Sequence, residues 1–442
     1  MKDILILGAG LSGISTAYFL QDAPWVRSIT LLEKEETTGG LCRTIHKDGY
    51  CYDIGPHILF SKDKEMLELM KSVLEEKNDL KRSNEILYKG RYIQYPFEND
   101  LSKLPADELK YCIQAFNHNP YETYDVDNMI QFFLKTFGEG ITNTYLRPYN
   151  EKIWKYDPAF MNTSMVDRIP KPTKEEIRRS ASGETIEGYL HQLYFSYPSA
   201  GGIESVVNGL KKRLNYKCKI WTSSEVSRVT KQHSGFLVNT SDGAEHTGDM
   251  LISTIPVQAM TAAYEKAGEA IRENVDDLKY NSIAISFVRT KYDHCGNHFA
   301  FMIPDKNVIF HRISKMDFLG DAYHHGDEAT YMVEVTYRKN DYVDSLSDEE
   351  FRASIKDGMT QIGFADKTED VDIIDITRYP YAYVIYDLNH QRNMETIRAF
   401  YSKEGIYLNG RFGNFEYWNM DRILRESLNL SVRISEKEGM GK

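Results

Sequence analysis

Ile4-Leu5-Ile6-Leu7-Gly8-Ala9-Gly10-Leu11-Ser12-Gly13 stands near the start of the chain, an apolar run that passes straight into three glycines. The apolar run is short and bounded by glycine, which predicts a buried parallel strand. Gly8 permits a tight turn, Gly10 lets the backbone approach a pyrophosphate, and Gly13 lets the next helix pack on the strand. That helix, about 11–21, aims free N–H groups and its positive dipole end at phosphates. A second apolar run, about 28–32, ends at Glu33. A carboxylate there, about twenty residues past the glycines, accepts from ribose hydroxyls and disfavours a 2′-phosphate, hence NADP. Strand, turn, helix and acid in this order predict a dinucleotide site on a Rossmann-like α/β domain.

The 442 residues suffice for two or three domains with sizeable cores. A net charge of −11 argues against a nucleic-acid or anionic-membrane surface. It leaves room for an anionic substrate held by local arginines. Cys42, Cys51, Cys112, Cys218 and Cys295 are scattered and lack CxxC spacing. They fit free thiols in a reducing setting, with neither a metal site nor a disulfide framework. The first apolar run meets its glycine turn too soon for a signal peptide, and no run is long and apolar enough to span a bilayer. A cytoplasmic location is expected.

Met66, Leu67, Leu69, Met70, Val73 and Leu74 carry a helical period within 63–82. Residues 85–199 are rich in aromatics and charges, with helix-like stretches near 127–137 and 141–147 that Gly138 and Pro148 interrupt. They read as a mainly helical insertion for substrate. Around 200–260 the first style returns: a glycine pair, a helix over 205–214 and short strands ending in Met250-Leu251-Ile252-Ser253. Alternation in Ile283-Ala284-Ile285-Ser286-Phe287-Val288 and Tyr331-Met332-Val333-Glu334-Val335 predicts a mainly antiparallel sheet across 261–399. Ile406-Tyr407-Leu408 then meets another glycine turn. The dinucleotide domain is expected to assemble from 1–84, 200–260 and 400–442.

Glu35-Glu36-Thr37-Thr38-Gly39-Gly40-Leu41-Cys42-Arg43-Thr44 follows the acid. It resembles the second fingerprint of the two-domain flavoproteins, which include amine oxidases, protoporphyrinogen oxidases and UDP-galactopyranose mutases. The resemblance implies FAD, with Gly39 and Gly40 near its ribityl and pyrophosphate region and Arg43 on a phosphate. Asn409-Gly410-Arg411-Phe412-Gly413-Asn414-Phe415-Glu416-Tyr417-Trp418-Asn419-Met420-Asp421 resembles the flavin-binding end of the mutases. It has their glycine–arginine start, Tyr417 six positions after the arginine, and the Met420-Asp421 pair. Such an element offers backbone N–H groups to a flavin ring.

Other segments resemble the mutase family in chain order. Gly55-Pro56-His57-Ile58-Leu59-Phe60-Ser61 looks like the histidine loop, with His57 beside the flavin. Tyr95-Pro96-Phe97 resembles a substrate-domain motif. Tyr149 and Trp154 match the tyrosine and tryptophan near the sugar-nucleotide pocket, and Tyr145 falls where the family has a base-stacking aromatic. Arg168 and Arg312 match two arginines near the diphosphate; Tyr383 and Tyr417 would offer hydroxyls to diphosphate or sugar. There are departures. Phe60 replaces a second histidine, Pro172 replaces a further arginine, and Val384 stands where a proline is expected.

The resemblance implies an FAD-dependent mutase interconverting pyranose and furanose forms of a nucleotide-activated sugar, in polysaccharide biosynthesis. Reduced flavin N5 would act as covalent nucleophile. Arginine suits the leaving diphosphate because its fork binds phosphate oxygens bidentately. Implied partners are the nucleotide sugar and a reductant such as NAD(P)H, with a homodimer left open. The alternative is a flavin oxidase or desaturase sharing the cofactor domain, which has no reason to carry the Tyr149–Trp154 block with Arg168 and Arg312.

Overall fold

The strand Lys2–Leu7 sits at the centre of a five-stranded parallel sheet. Met250–Ser253 and then Ile406–Leu408 lie on one side of it; Val26–Leu32 and Cys218–Trp221 lie on the other. The computed structural model describes residues 1–168, 171–184, 186–187 and 193–439. The central strands are apolar on both faces because helices cover them. Leu11–Leu20 packs against Met420–Gly439 and against Glu204–Lys212. The α/β class and the discontinuous parallel sheet agree with the sequence reading: strands from near the start, the middle and the end of the chain meet in one sheet.

A seven-stranded sheet carries the other half. Its order is Val371–Ile385, Lys279–Thr290, Ala329–Tyr337, Arg312–Lys315, Ala300–Met302, Asn84–Tyr88, Arg91–Gln94. All neighbours are antiparallel except Ala300–Met302 with Asn84–Tyr88, which run parallel. The first residues of the expected helical insertion are therefore strands. Lys89 and Gly90 join them with φ of 49° and 74°, the twist a two-residue hairpin needs. Helices take over at Ala106–Asn117, Met129–Ile141, Arg147–Trp154 and Lys174–Ala181. Gly138 breaks its helix with φ 71°, whereas Pro148 sits where the π-helical turn Thr142–Leu146 passes into Arg147–Trp154 and does not end the helical run.

Two further expectations change. The helical period of 63–82 holds only over Lys64–Ser72, capped by the Asp63 carboxylate. Lys77–Lys81 is a strand, because Tyr194–Pro198 pairs with it from more than a hundred residues away. Within 261–399 the sheet is covered by the helix Asp348–Gln361, announced by a Ser347–Glu350 capping box.

The N-terminal helix can start where it does only because Gly13 lacks a side chain. A Cβ there would lie 2.0 Å from the Gly8 carbonyl oxygen. Gly10 has no such conflict: its φ is −72°, and a Cβ would come no nearer than 3.6 Å to any neighbour. Gly13→Ala is thus expected to destabilise the protein by about 1–3 kcal/mol. Gly10→Ala should stay within about 0.5 kcal/mol of wild type in the same urea titration of cofactor-free protein.

Candidate active site

Three glycine turns meet at the carboxyl edge of the parallel sheet. The Gly39 N–H donates to the Ala9 carbonyl at 2.9 Å. Gly40, at φ 58°, lies so close that its Cβ would be 3.3 Å from the Gly10 Cα. Gly410, at φ 84°, packs on Ser12; a Cβ there would be 2.6 Å from Ser12 Oγ. Glu33 is buried and accepts from the Ala9 N–H at 2.8 Å and the Glu35 N–H at 3.1 Å. The expected ribose acceptor therefore also clamps the first turn. Arg43, expected on a phosphate, donates Nε to the Gly40 carbonyl at 3.0 Å. Met420 opens the helix Met420–Gly439 and is buried.

Beside these turns the seven-stranded sheet presents an ion pair whose carboxylate is buried and whose guanidinium is partly open. Arg312 and Glu334 are direct cross-strand neighbours, so their side chains share a face. The guanidinium grips the carboxylate through Nε and NH2, the latter at 2.6 Å to Oε2. Glu334 is fully buried. The Tyr383 hydroxyl lies 3.1 Å from Arg312 NH2 and 3.3 Å from Glu334 Oε2. Burial opposes the Arg312 charge, but Glu334 outweighs it and holds the pKa well above the ordinary value. Burial, opposed by Arg312 and reinforced by Glu334, pushes the Tyr383 phenol up, so it stays protonated. The histidine loop meets this pair, since the Gly55 Cβ position is 3.5 Å from Glu334 Oε2. His57 Nδ1 lies 3.2 Å from the Gly55 carbonyl. Burial, then the charges of Arg411 and Arg312, push His57 down to about 4.

Aromatic rings wall the pair. Tyr383 and Tyr417 stack at 5.7 Å, and Trp154 meets both edge-on at 5.9 and 6.0 Å. Trp154 is oriented by its indole N–H, which donates to Asn150 Oδ1 at 2.8 Å. Tyr149 is close enough to feel Arg312, Tyr95, Glu334 and Tyr417. Tyr145 requires a correction. It is sandwiched between Phe97 at 4.6 Å and Tyr149 at 5.3 Å, both near parallel, so neither face is left for a base. Tyr149 is the outer ring of that stack. Arg168 ends the turn Thr163–Arg168; its side chain, with Ile169 and Pro170, lies outside the described residues.

The family model for flavin-containing amine oxidoreductases matches residues 11–411. The chain belongs to that family. FAD is its cofactor. Among relatives of this flavoprotein, phytoene desaturase of Fusarium fujikuroi is 45% identical over 58 residues, 13% of this chain and 10% of that one. Coproporphyrinogen III oxidase of Bacillus subtilis is 20% identical over 335 residues, covering 67% of this chain and 70% of the relative. The solved structure of a reduced UDP-galactopyranose mutase superposes with a TM-score of 0.89 at 22% identity, over 98% of this chain and 95% of that one. That likeness shows the shared fold.

The flavoprotein's own residues fit a dinucleotide. Ser12 Oγ, in the first turn of the N-terminal helix, is buried without a partner among the described residues. Gly10 is bare although no protein atom demands it, which suits close approach by a pyrophosphate. Among the described residues no group of His, Cys, Asp and Glu is placed to hold a metal, and no helix is long and apolar enough to cross a membrane. Glu334 and Asn150 are absent from the sequence expectations. The signal for Glu334 was a lone carboxylate in Ala329–Tyr337, whose nine residues are all buried.

Glu334→Gln takes the counter-charge from the partly exposed Arg312, and should cost about 2–4 kcal/mol in chemical denaturation. Adding Arg312→Met should restore part of that, since the two residues act as a unit. His57, depressed to about 4 in the folded protein, should stay neutral from pH 8 to pH 5 when followed by NMR. Its contribution to stability is complete above about pH 6.5, the unfolded value, and is lost as pH falls towards 4.

Proposed function

We propose that this flavoprotein is a mutase that interconverts ring forms of a nucleotide-activated sugar. The observation that carries the reading is the Arg312–Glu334 pair walled by Tyr149, Trp154, Tyr383 and Tyr417 beside the glycine turns. An enzyme that only withdraws hydride from an apolar or amine substrate has no need of that set. The solved mutase structure with the same fold supports it.

Reduced FAD would supply the nucleophile for the anomeric carbon. The chain's residues then have three tasks. Tyr149 offers its outer face to the base. Arg312, anchored by Glu334 through Nε and NH2, turns its remaining NH1 edge to the diphosphate and holds it after it leaves. Arg168 would complete that grip. Tyr383, kept protonated, turns its one hydroxyl hydrogen from Glu334 Oε2 to a phosphate or sugar oxygen when substrate arrives. His57, neutral, offers the histidine loop as acceptor towards the ring.

Dithionite-reduced enzyme should change the ring size of a nucleotide furanoside such as UDP-galactofuranose, followed by NMR, and oxidised enzyme should not. Dithionite-reduced Arg312→Ala should lose about a hundredfold or more in turnover while keeping its flavin. Stoichiometric oxygen consumption with an amine or a cyclic reduced substrate, and no ring-size change in either flavin state, would replace the mutase by an oxidase of the kind its coproporphyrinogen-oxidising relative is named for.

A further inference from the structure

Arg411 is a half-buried cation that the protein satisfies only in part. NH1 donates to the Trp418 carbonyl at 3.2 Å and NH2 to the Ala382 carbonyl at 2.7 Å. Nε is buried with no hydrogen-bond partner among the described residues. Both bonds go to neutral carbonyls, in contrast to Arg312, whose charge Glu334 cancels. The guanidinium stacks 4.1 Å over Tyr417 and lies 5.8 Å from the ring centroids of Tyr383 and Phe412. A buried guanidinium N–H without an acceptor, on a cation without a counter-charge, is costly. Its place in the fold suggests why it is kept.

The residue follows Gly410, whose turn packs on Ser12 of the nucleotide helix. Its charge reaches two groups on the neighbouring loops, Cys42 after the glycine pair and His57 in the histidine loop. It therefore stands where the three loops that frame the cofactor site converge. The helix Met420–Gly439 starts nine residues on, with its positive dipole end in the same segment.

We infer that Arg411 is the counter-charge of the reduced flavin: it favours the anionic over the neutral reduced form and raises the midpoint potential of the bound cofactor. Two electrons and one proton convert oxidised flavin to the reduced anion, which carries one more negative charge. A fixed guanidinium in a low-dielectric site stabilises that charge without reorganisation. The role is that of a positioning charge. It rests on FAD binding and stands whether the substrate is a nucleotide sugar or not.

The test uses FAD-loaded holoenzyme, dithionite as reductant and a reference dye. Arg411→Gln should lower the midpoint potential by at least about 30 mV, a tenfold change in the two-electron equilibrium. It should also move the neutral-to-anionic transition of the reduced flavin spectrum upward by at least about one pH unit. Arg411→Lys, which keeps the charge, should recover most of both shifts. A merely structural role would lower stability and leave both readings at wild-type values, and that result in flavin-loaded Arg411→Gln overturns the inference. Should the glutamine variant fail to retain flavin, the wild type decides. Its reduced flavin must ionise at lower pH than free reduced FAD in the same buffer, and ionisation at or above the free value overturns the inference equally.

Discussion

Backbone-to-backbone approach at bare glycines is the constraint on which the molecule depends. Strand Lys2–Leu7 ends at Gly8, and the loop after the next strand closes on it through the Gly39 N–H and the Ala9 carbonyl. The Gly410 turn, more than 350 residues further on, comes within contact of Ser12. A side chain at Gly40 would press on Gly10 and one at Gly410 on Ser12, driving the second and third loops off the first. Glu33 adds a charge-assisted bond from the second strand to the same turn. The parallel sheet is thus a device for bringing distant parts of the chain to one edge, where α/β folds place ligands.

Charge distribution then distinguishes the two arginines at that edge. Arg312 is locked by a fully buried carboxylate one strand away, so it is rigid and its charge is largely compensated. Arg411 is held by carbonyls and an aromatic face, so its charge is left to act on whatever fills the space beside it. His57 between them is kept neutral. A compensated arginine suits an anion that arrives and departs, because the site does not carry an uncancelled charge between visits. An uncompensated one suits a charge that develops on a resident group.

The cofactor half was legible in the sequence because its signals are local. Strand, glycine turn, helix and acid fall within the first 33 residues, and Gly410-Arg411 repeats the pattern. The rest was hidden where distant pairing overrides local pattern. Lys77–Lys81 continues a helical period but is captured by Tyr194–Pro198, and Asn84–Gln94 joins a sheet whose other strands lie two hundred residues downstream. Tyr145 shows the limit of spacing arguments. Tyr145 and Tyr149 do share a helix face, yet Phe97 from another segment covers the first ring. Glu334 looked like the polar member of an alternating strand, and only the cross-strand register with Arg312 reveals the ion pair. The helix Asp348–Gln361, by contrast, carried a readable cap in Ser347 and Glu350.

If the proposed function holds, a nucleoside diphosphate bound at Arg312 lies next to the flavin and perturbs it. The visible absorption spectrum of the FAD-loaded protein, recorded while UDP, GDP and dTDP are titrated in turn, tests it most directly. A saturable shift of the flavin bands with one of them, weakened in Arg312→Ala, is the predicted result. A spectrum unmoved by all three at millimolar concentration would contradict the account.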